Sequence, residues 1–232
     1  MRNKVLSLGV CTLVFALGLG VVFPTSALGY MAGKSRYEYS TDWRGVQSMI
    51  WLYPWSLSYG NGKHVSSIYI RDDDATDRHV ETGIVKNYNT SAMCFYQWCK
   101  VVDLSQADWG TEWYQYNYSL LSGSGYYTTF EINNVDMGGS GDPGDNWRVA
   151  KNGTVMTTVY MPGIIAGDAT CSSEVNVEGS DDNRSSFRDQ QKKNNSGSWS
   201  LWVDSRVYPL ADEDTTYCWS SYSASHWYTY EN

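Results

Sequence analysis

Short runs in which apolar and polar residues alternate recur along most of the chain. In the stretch 46–53, the even positions carry Val, Ser, Ile and Leu, and the odd positions carry Gln, Met, Trp and Tyr. A period of two residues places alternate side chains on opposite faces of a β-strand. The same criterion predicts further strands at 64–70, 80–85, 95–102, 113–121, 126–132, 147–150, 154–161, 175–177 and 201–208.

Turn-forming residues separate these runs. Lys151-Asn152-Gly153 lies between two of them and predicts a β-hairpin. The polar and charged segment 181–197 is predicted to be a loop or a short exposed helix, and no strong helical periodicity occurs elsewhere. Many short strands at this spacing predict an all-β fold, an antiparallel β-sandwich of the jelly-roll type.

The face of the predicted sheets that is turned away from the core is unusual. It carries Trp and Tyr rather than only Thr and Lys, and a curved sheet with aromatic residues on its open side suits sugars or extended peptides. The candidate binding residues are Gln47, Trp51, Asp72, Tyr96 and Trp98. In the alternative interpretation, loops or the aromatic C-terminal tail cover these side chains.

The N-terminus has the layout of a secretory signal peptide. Two basic residues precede an uncharged apolar run over 5–23, and a proline and the small-residue sequence Ala27-Leu28-Gly29 follow. We expect cleavage after Gly29, or after Ala27, and therefore a helical signal peptide at 1–29 and a single β-sandwich domain at 30–232. The apolar run approaches the ~20 residues that span a bilayer, so an uncleaved membrane anchor is the alternative.

The amino-acid composition excludes some classes of binding partner for the exported chain. The full chain has a formal net charge of −8, and loss of Arg2 and Lys4 with the signal peptide leaves 15 basic and 25 acidic residues, a net charge of −10; the exported chain contains 11 Trp and 19 Tyr. An acidic surface argues against nucleic acid or anionic lipid as a partner, and the abundance of Trp and Tyr favours strands. We therefore expect a secreted monomer that binds extracellular polysaccharide or peptide, without nucleic acid and without a membrane after signal cleavage.

Four cysteines remain once Cys11 leaves with the signal peptide. An even number in an exported chain predicts two disulfides, with three possible pairings. Because Cys94 and Cys99 are close in sequence, we expect a local Cys94–Cys99 bridge and a long-range Cys171–Cys218 bridge. The cysteines lack paired Cys-x-x-Cys spacing and only three histidines are present, so neither a metal nor a cofactor is expected.

Two glutamates are candidates for catalysis. Glu81 has the strand parity opposite to Val80 and Ile84, and Glu174 has the parity opposite to Val175, so both carboxylates should face away from the core. If their strands share a sheet, both could enter one groove, and two carboxylates across a groove suit glycoside hydrolysis. The alternative is that each glutamate is a solvated surface group.

The order of several short segments resembles the order of motifs in the glutamic peptidases, or eqolisins. The segments are Val65-Ser66-Ser67-Ile68-Tyr69-Ile70-Arg71-Asp72, Glu81-Thr82-Gly83, Phe95-Tyr96-Gln97-Trp98 and Ser173-Glu174-Val175. The resemblance covers residues 44–180 and implies a concanavalin-like sandwich. It also implies a catalytic pair in which a Glu activates water and the amide of a Gln stabilises the oxyanion.

Only half of that catalytic pair is preserved. Glu174 aligns with the catalytic glutamate of the family, but Glu81 aligns with its catalytic glutamine. An ionised carboxylate has no N–H group to donate to an oxyanion. We therefore expect a secreted binding protein for carbohydrate or peptide without catalytic activity. The alternative is an acid-active hydrolase, peptidase or glycosidase, in which the two carboxyl groups share a proton and Glu81 donates.

Overall fold

The computed structural model contains two antiparallel β-sheets packed face to face. It describes residues 32–53, 63–71, 79–87, 94–100, 112–117, 125–136, 144–162, 165–175, 184–203, 205–209 and 217–231. Within these ranges every regular element is a strand, and no helix is long and apolar enough to cross a membrane. The predicted all-β sandwich is confirmed, whereas the predicted signal peptide lies outside the described residues.

The strands of the described chain are numbered in sequence order. They are β1 (Ala32–Trp43), β2 (Gly45–Trp51), β3 (Lys63–Arg71), β4 (His79–Asn87), β5 (Cys94–Lys100), β6 (Glu112–Asn117), β7 (Tyr127–Asn134), β8 (Gly144–Lys151), β9 (Thr154–Pro162), β10 (Gly167–Val175), β11 (Ser185–Lys193), β12 (Trp199–Leu201), β13 (Ser205–Pro209), β14 (Tyr217–Ser223) and β15 (His226–Glu231). Sheet A has the order β13-β1-β10-β3-β4-β5-β6, and sheet B has the order β14-β15-β11-β2-β7-β8-β9 with β12 added to β11.

The predicted alternation along the strands builds the core. In β2, Val46, Ser48 and Ile50 are fully buried between the sheets, whereas Gln47 and Met49 are partly exposed. Burying one large aliphatic side chain stabilises the folded state by about 1.5–3 kcal/mol. Residues of both sheets form a single buried hydrophobic cluster. Its members are Val46, Ile50, Leu52, Ile68, Ile70, Val80, Ile84, Phe130, Ile132, Trp147, Val149, Met161, Ala169, Cys171, Phe187, Trp202 and Trp227.

The predicted hairpin at residues 151–153 joins β8 to β9. Asn152 has φ 47° and Gly153 has φ 75°. Asn-Gly is the pair that most readily takes two successive positive φ values, and such a turn matches the twist of the flanking strands. The Asn152 side chain also accepts a hydrogen bond at 2.9 Å from the backbone N–H of Thr129 on β7, which fastens the hairpin to the next strand.

The prediction of a loop or helix at 181–197 is wrong, because β11 lies there in the middle of sheet B. Phe187 is fully buried and stacks on Trp227 of β15 with ring centroids 5.0 Å apart. Several polar residues of β11 are buried, among them Ser185, Lys192 and Lys193, whereas Arg188 is exposed. The strand also carries an irregularity between Arg188 and Gln191, where Asp189 has φ 52°, so simple alternation does not describe it.

The single strand predicted at 201–208 is also wrong. The chain leaves sheet B after β12 and enters sheet A at β13. Trp202 is buried at this crossing, and its backbone N–H donates a hydrogen bond at 3.0 Å to the carbonyl oxygen of Gln190. The aromatic C-terminal tail forms the β14–β15 hairpin, which extends sheet B instead of covering a sheet.

The proposed Cys94–Cys99 disulfide is incompatible with β5. Both cysteines belong to this one extended strand, which pairs with β4 on one side and β6 on the other. Five residues of strand place their Cα atoms about 17 Å apart, whereas a disulfide requires less than about 7 Å. Closeness in sequence does not bring two cysteines together when the backbone between them is extended.

The proposed Cys171–Cys218 disulfide is likewise absent, and both residues are thiols. Cys171 lies on the central strand β10 and is fully buried between the sheets. Cys218 lies on β14, the terminal strand of sheet B, opposite Tyr230. Tyr230 has the strand parity opposite to the core residue Trp227, so it lies on the outer face of sheet B, and its partner Cys218 lies on that face too. Cys171 faces the core, so the two sulfur atoms do not meet.

Candidate catalytic and binding sites

Glu81 lies on β4 and is almost completely buried, with 5% of its surface exposed. It occupies the outer face of sheet A, as its parity relative to Val80 and Ile84 predicts. Its carboxylate oxygen Oε2 lies 3.7 Å from Nε2 of His79, two residues earlier on the same face. The Tyr69 ring on β3 lies 6.0 Å from the His79 ring, so Glu81 is held in a compact polar and aromatic environment.

Glu174 lies on β10, also on the outer face of sheet A, and is partly exposed. Its backbone partners are Val65 on β3 and Gly33 on β1. The core side of the same strand carries Ala169 and Cys171, both fully buried. The prediction that Glu174 faces away from the core therefore agrees with its position in the sheet.

The two glutamates share a sheet and a face but are out of register. Glu81 lies opposite Tyr69 on β3, whereas Glu174 lies opposite Val65, four residues away along the same strand. Four residues correspond to about 13 Å along the strand, and two strand spacings add about 10 Å across the sheet. Their Cα atoms are therefore about 16 Å apart, so the two side chains start from separate positions on the sheet.

Small, buried side chains occupy the sheet surface between the two glutamates. The hydroxyl oxygens of Ser67 on β3 and Ser172 on β10 are hydrogen-bonded at 2.7 Å, and both residues are fully buried. Thr170 lies at the level of Glu81 on β10, because both pair with Tyr69. Asp168, two residues before Thr170 on β10, has the same strand parity as Glu174 and lies opposite Arg71 on β3.

The five candidate binding residues do not lie on one surface. Gln47 and Trp51 belong to β2 in sheet B, whereas Tyr96 and Trp98 belong to β5 in sheet A. In the register of sheet A, Tyr96 is the partner of Gly83 and Trp98 is the partner of Glu81. Asp72 lies outside the described residues.

Two groups of aromatic rings and the guanidinium of Arg188 lie on or beside the outer face of sheet B, and we call them together the aromatic stripe: Trp51, Tyr53, Tyr127, Arg188, Tyr222, His226, Tyr228 and Tyr230. It contains one predicted binding residue, Trp51, and three tyrosines of the C-terminal tail. The alternation of residues along β15 could have predicted it from the sequence: Trp227 and Thr229 are buried, and the residues on either side of them are not.

A second polar cluster, between the sheets, was not predicted from the sequence. The Ser185 hydroxyl oxygen on β11 lies 3.0 Å from His64 Nε2, 2.5 Å from Ser66 Oγ and 2.7 Å from Ser173 Oγ. Thr229 of β15 joins it through a hydrogen bond of 2.9 Å from the Ser185 backbone N–H. All five residues are at most 1% exposed, so the Ser–His contact links the sheets and offers no substrate an approach.

No group of His, Cys, Asp and Glu side chains able to hold a metal ion occurs in the part of the chain that the structure describes. The largest change in acidity with a clear geometric cause concerns Cys171. Complete burial raises the pKa of its thiol to about 12, against the smaller opposing effects of Gln190, Ser48 and Arg36. This thiol is therefore not a nucleophile at neutral pH.

Solved structures of glutamic peptidases share this fold over most of the chain. Scytalido-glutamic peptidase with a transition state analog inhibitor aligns with a TM-score of 0.60 and 11% identity, over 89% of this chain and 100% of that one. SCP-B, an eqolisin family member in complex with the tripeptide Ala-Ile-His, aligns with a TM-score of 0.56 and 11% identity over the same shares. No family model and no curated protein sequence matches the chain. The chain therefore has the glutamic-peptidase fold that its motif order predicted.

Proposed function

We propose that this protein is a secreted binding protein for an extended polysaccharide or peptide, and that it does not hydrolyse its ligand. The observation that carries the second half of the proposal is the register of β4, β3 and β10. It separates Glu81 from Glu174 by four residue positions along the sheet. Cα atoms about 16 Å apart place the two glutamates at separate positions on the sheet, and this separation supports a binding function without hydrolysis.

The surroundings of Glu81 also oppose its use as an acid. An acid-active enzyme would need Glu81 protonated so that it can donate a hydrogen bond to an oxyanion. Nε2 of His79 lies 3.7 Å from Oε2 of Glu81, so the carboxyl group already has an ion-pairing partner beside it.

The binding half of the proposal rests on the aromatic stripe, in which Arg188 and Tyr222 are exposed and the other side chains are partly buried. Exposed clusters of Trp and Tyr are uncommon on a surface that has no partner. Secretion rests on the N-terminal sequence, and N-terminal sequencing of protein recovered from culture medium tests it. A mature terminus immediately after Gly29 or Ala27 is expected, and an intact N-terminus retained in the membrane would contradict secretion.

Hydrolysis and retention assays on one purified protein test the function. We expect no cleavage of casein or glucan from acid to neutral pH, together with retention on an array of polysaccharides and peptides. Absence of any retention would contradict the binding function. Cleavage abolished by Glu174→Gln would replace it with the hydrolase function, with which the fold shared over the whole length of two glutamic peptidases is also compatible.

A further inference from the structure

We propose that the aromatic stripe on the outer face of sheet B is a binding site for a neutral polysaccharide chain. This inference rests on the proposed binding function and adds the surface and the chemical class of the ligand. The stripe lies on the sheet opposite to the one that carries Glu81 and Glu174. It is therefore separate from the position of the catalytic pair implied by the family resemblance.

One half of the stripe lies on β2, β7 and the residues that follow β2. The Trp51 ring meets the Tyr127 ring edge to face with centroids 4.8 Å apart, and it meets the Tyr53 ring at 6.4 Å. The guanidinium of Arg184 lies 5.1 Å from the centre of the Tyr53 ring. Edge-to-face contacts stabilise aromatic pairs by about 0.5–1.5 kcal/mol beyond their burial, so this half is a preorganised platform.

The other half lies on the β14–β15 hairpin. The Tyr222 ring lies 4.7 Å from the His226 ring and 5.3 Å from the Tyr228 ring, and Tyr228 lies 6.0 Å from Tyr230. Tyr222 is 73% exposed, the highest value among the large aromatic residues described. A stable hairpin therefore holds a large ring in solvent, although the hydrophobic effect favours its burial.

Strand β11 joins the two halves. The guanidinium of Arg188 lies 5.8 Å from the centre of the Tyr127 ring, and the Tyr127 hydroxyl is hydrogen-bonded to Ser186 at 3.2 Å. Ser186 is in turn the backbone partner of Tyr228. The stripe thus crosses β14, β15, β11, β2 and β7, a width of about 19 Å at the usual strand spacing.

The direction of the stripe favours a sugar chain over an extended peptide. A peptide that binds a sheet gains most of its affinity from backbone hydrogen bonds to an open strand edge. The stripe instead runs across the strands, and β15, β11, β2 and β7 each have a paired neighbour on both sides, whereas β14 is the terminal strand of the sheet. A peptide lying there would leave its own backbone groups without protein partners, whereas a sugar ring can place its apolar face on an aromatic ring and keep its hydroxyls in water.

The charges of the stripe favour a neutral polymer. Arg188 is paired with Asp189 at 3.3 Å, and Arg148 on the neighbouring part of the face is paired with Glu131 at 3.1 Å. Burial lowers the pKa of His226, with Arg188 adding to this effect and Asp189 opposing it, so its imidazole is neutral at neutral pH. Arg184 beside Tyr53 adds a cation at one end of the stripe, but the formal net charge of −8 for the whole chain disfavours the approach of a polyanion.

Affinity electrophoresis of the full-length secreted protein, in gels that contain soluble neutral glucans or galactans, tests the proposal. We expect Tyr222→Ala and Trp51→Ala each to weaken retention about tenfold, since exposed aromatic anchors contribute above 1 kcal/mol. Tyr160→Ala is the matched control, because Tyr160 is 47% exposed on β9 and outside the stripe. Retention of the unchanged protein and of the control should not vary with salt.

Four outcomes would overturn the proposal. The first is retention that neither stripe variant changes, which would leave the proposed binding function standing on another surface. The second is retention only by polyanions such as alginate, with loss on added salt. The third is retention only by peptides. If no polymer retains the protein, both the stripe proposal and the proposed function fail. Far-ultraviolet circular dichroism of each variant separates loss of binding from loss of folding.

Discussion

Gly83 lies where β3 and β4 approach each other closely in sheet A. A Cβ atom at this position would collide with the carbonyl oxygen of Ser66 and would lie 2.7 Å from the Cα atom of Ser67. Both atoms belong to the backbone of a central strand, so neither can move aside without disturbing the sheet. The requirement for glycine comes from the neighbouring strand, not from the φ angle of Gly83.

We predict that Gly83→Ala lowers the free energy of unfolding by about 3 kcal/mol, the upper end of the usual cost of overpacking. Urea unfolding followed by tryptophan fluorescence measures it. Gly153→Ala is the matched control, because its Cβ would meet open space and only its φ of 75° is unfavourable. That strain costs about 1 kcal/mol, and equal effects of the two substitutions would contradict the close approach at Gly83.

Cys171 provides a second prediction for a single residue. Because the thiol is fully buried and its pKa is raised to about 12, we expect it to resist alkylation in the native protein at mildly alkaline pH. Cys218, partly exposed on the outer face, should react, and peptide mapping identifies the labelled residue. In urea both should react, whereas resistance of both after unfolding would indicate the disulfide that the structure lacks.

Because of the same thiol, the free energy of unfolding should depend on pH in the alkaline range. The folded-state pKa of about 12 exceeds the ordinary value of 9.0. Below pH 9 the thiol is neutral in both states, but above it the unfolded state loses the proton first. The contribution of the buried Cys171 thiol to the free energy of unfolding is therefore fully present below pH 9 and is lost as the pH rises towards 12. Urea unfolding of the protein and of Cys171→Ser should show a weaker decline in this window for the variant.

At the scale of elements, β11 explains how a strand rich in Ser, Gln, Lys and Arg can lie in the middle of a sheet. The Ser185 hydroxyl is hydrogen-bonded to His64, Ser66 and Ser173, all on sheet A. Lys193 at the other end of the strand donates from Nζ to the Asn133 side chain at 2.7 Å. Polar side chains are stable in the interior when each has a partner, so a polar sequence does not exclude a central strand.

We predict that Ser185→Ala lowers the free energy of unfolding by about 2–3 kcal/mol, because it leaves several buried hydrogen-bonding groups unsatisfied at once. Ser200→Ala on the adjacent strand β12 is the control, since Ser200 is exposed and pairs with Lys192 only through the backbone. That substitution should change stability by less than about 0.5 kcal/mol. A cost at Ser185 no greater than at Ser200 would mean that the polar cluster does not link the sheets.

At the scale of the whole molecule, the two sheets depend on one core. Trp147 and Trp227 of sheet B are fully buried in the same cluster as Ile68 and Val80 of sheet A. Neither sheet can keep its inner face away from water without the other. The sandwich is therefore the smallest unit of the described chain that can be stable.

We predict a single cooperative unfolding transition. Tryptophan fluorescence, which reports the core, and far-ultraviolet circular dichroism, which reports the strands, should give the same midpoint in urea. Two separated transitions would contradict a shared core. They would also contradict the single domain that the sequence predicts at 30–232.

The sequence by itself determined what depends on neighbours along the chain. Alternation at 46–53 predicted which side chains of β2 are buried, and Asn152-Gly153 predicted the hairpin, because a strand has a period of two and a tight turn needs particular residues. The order of short motifs predicted the glutamic-peptidase fold. Strand parity also assigned Glu81 and Glu174 to the outer face correctly.

Only the tertiary structure decided what depends on contacts between distant segments. The register across three strands separates Glu81 from Glu174, and no local pattern encodes a register. The burial of β11 depends on partners such as His64, more than one hundred residues away in sequence. Extended backbone keeps Cys94 from Cys99, and the sandwich interior keeps Cys171 from Cys218. The aromatic stripe likewise exists because the C-terminal hairpin adds to sheet B beside β11 rather than covering a sheet.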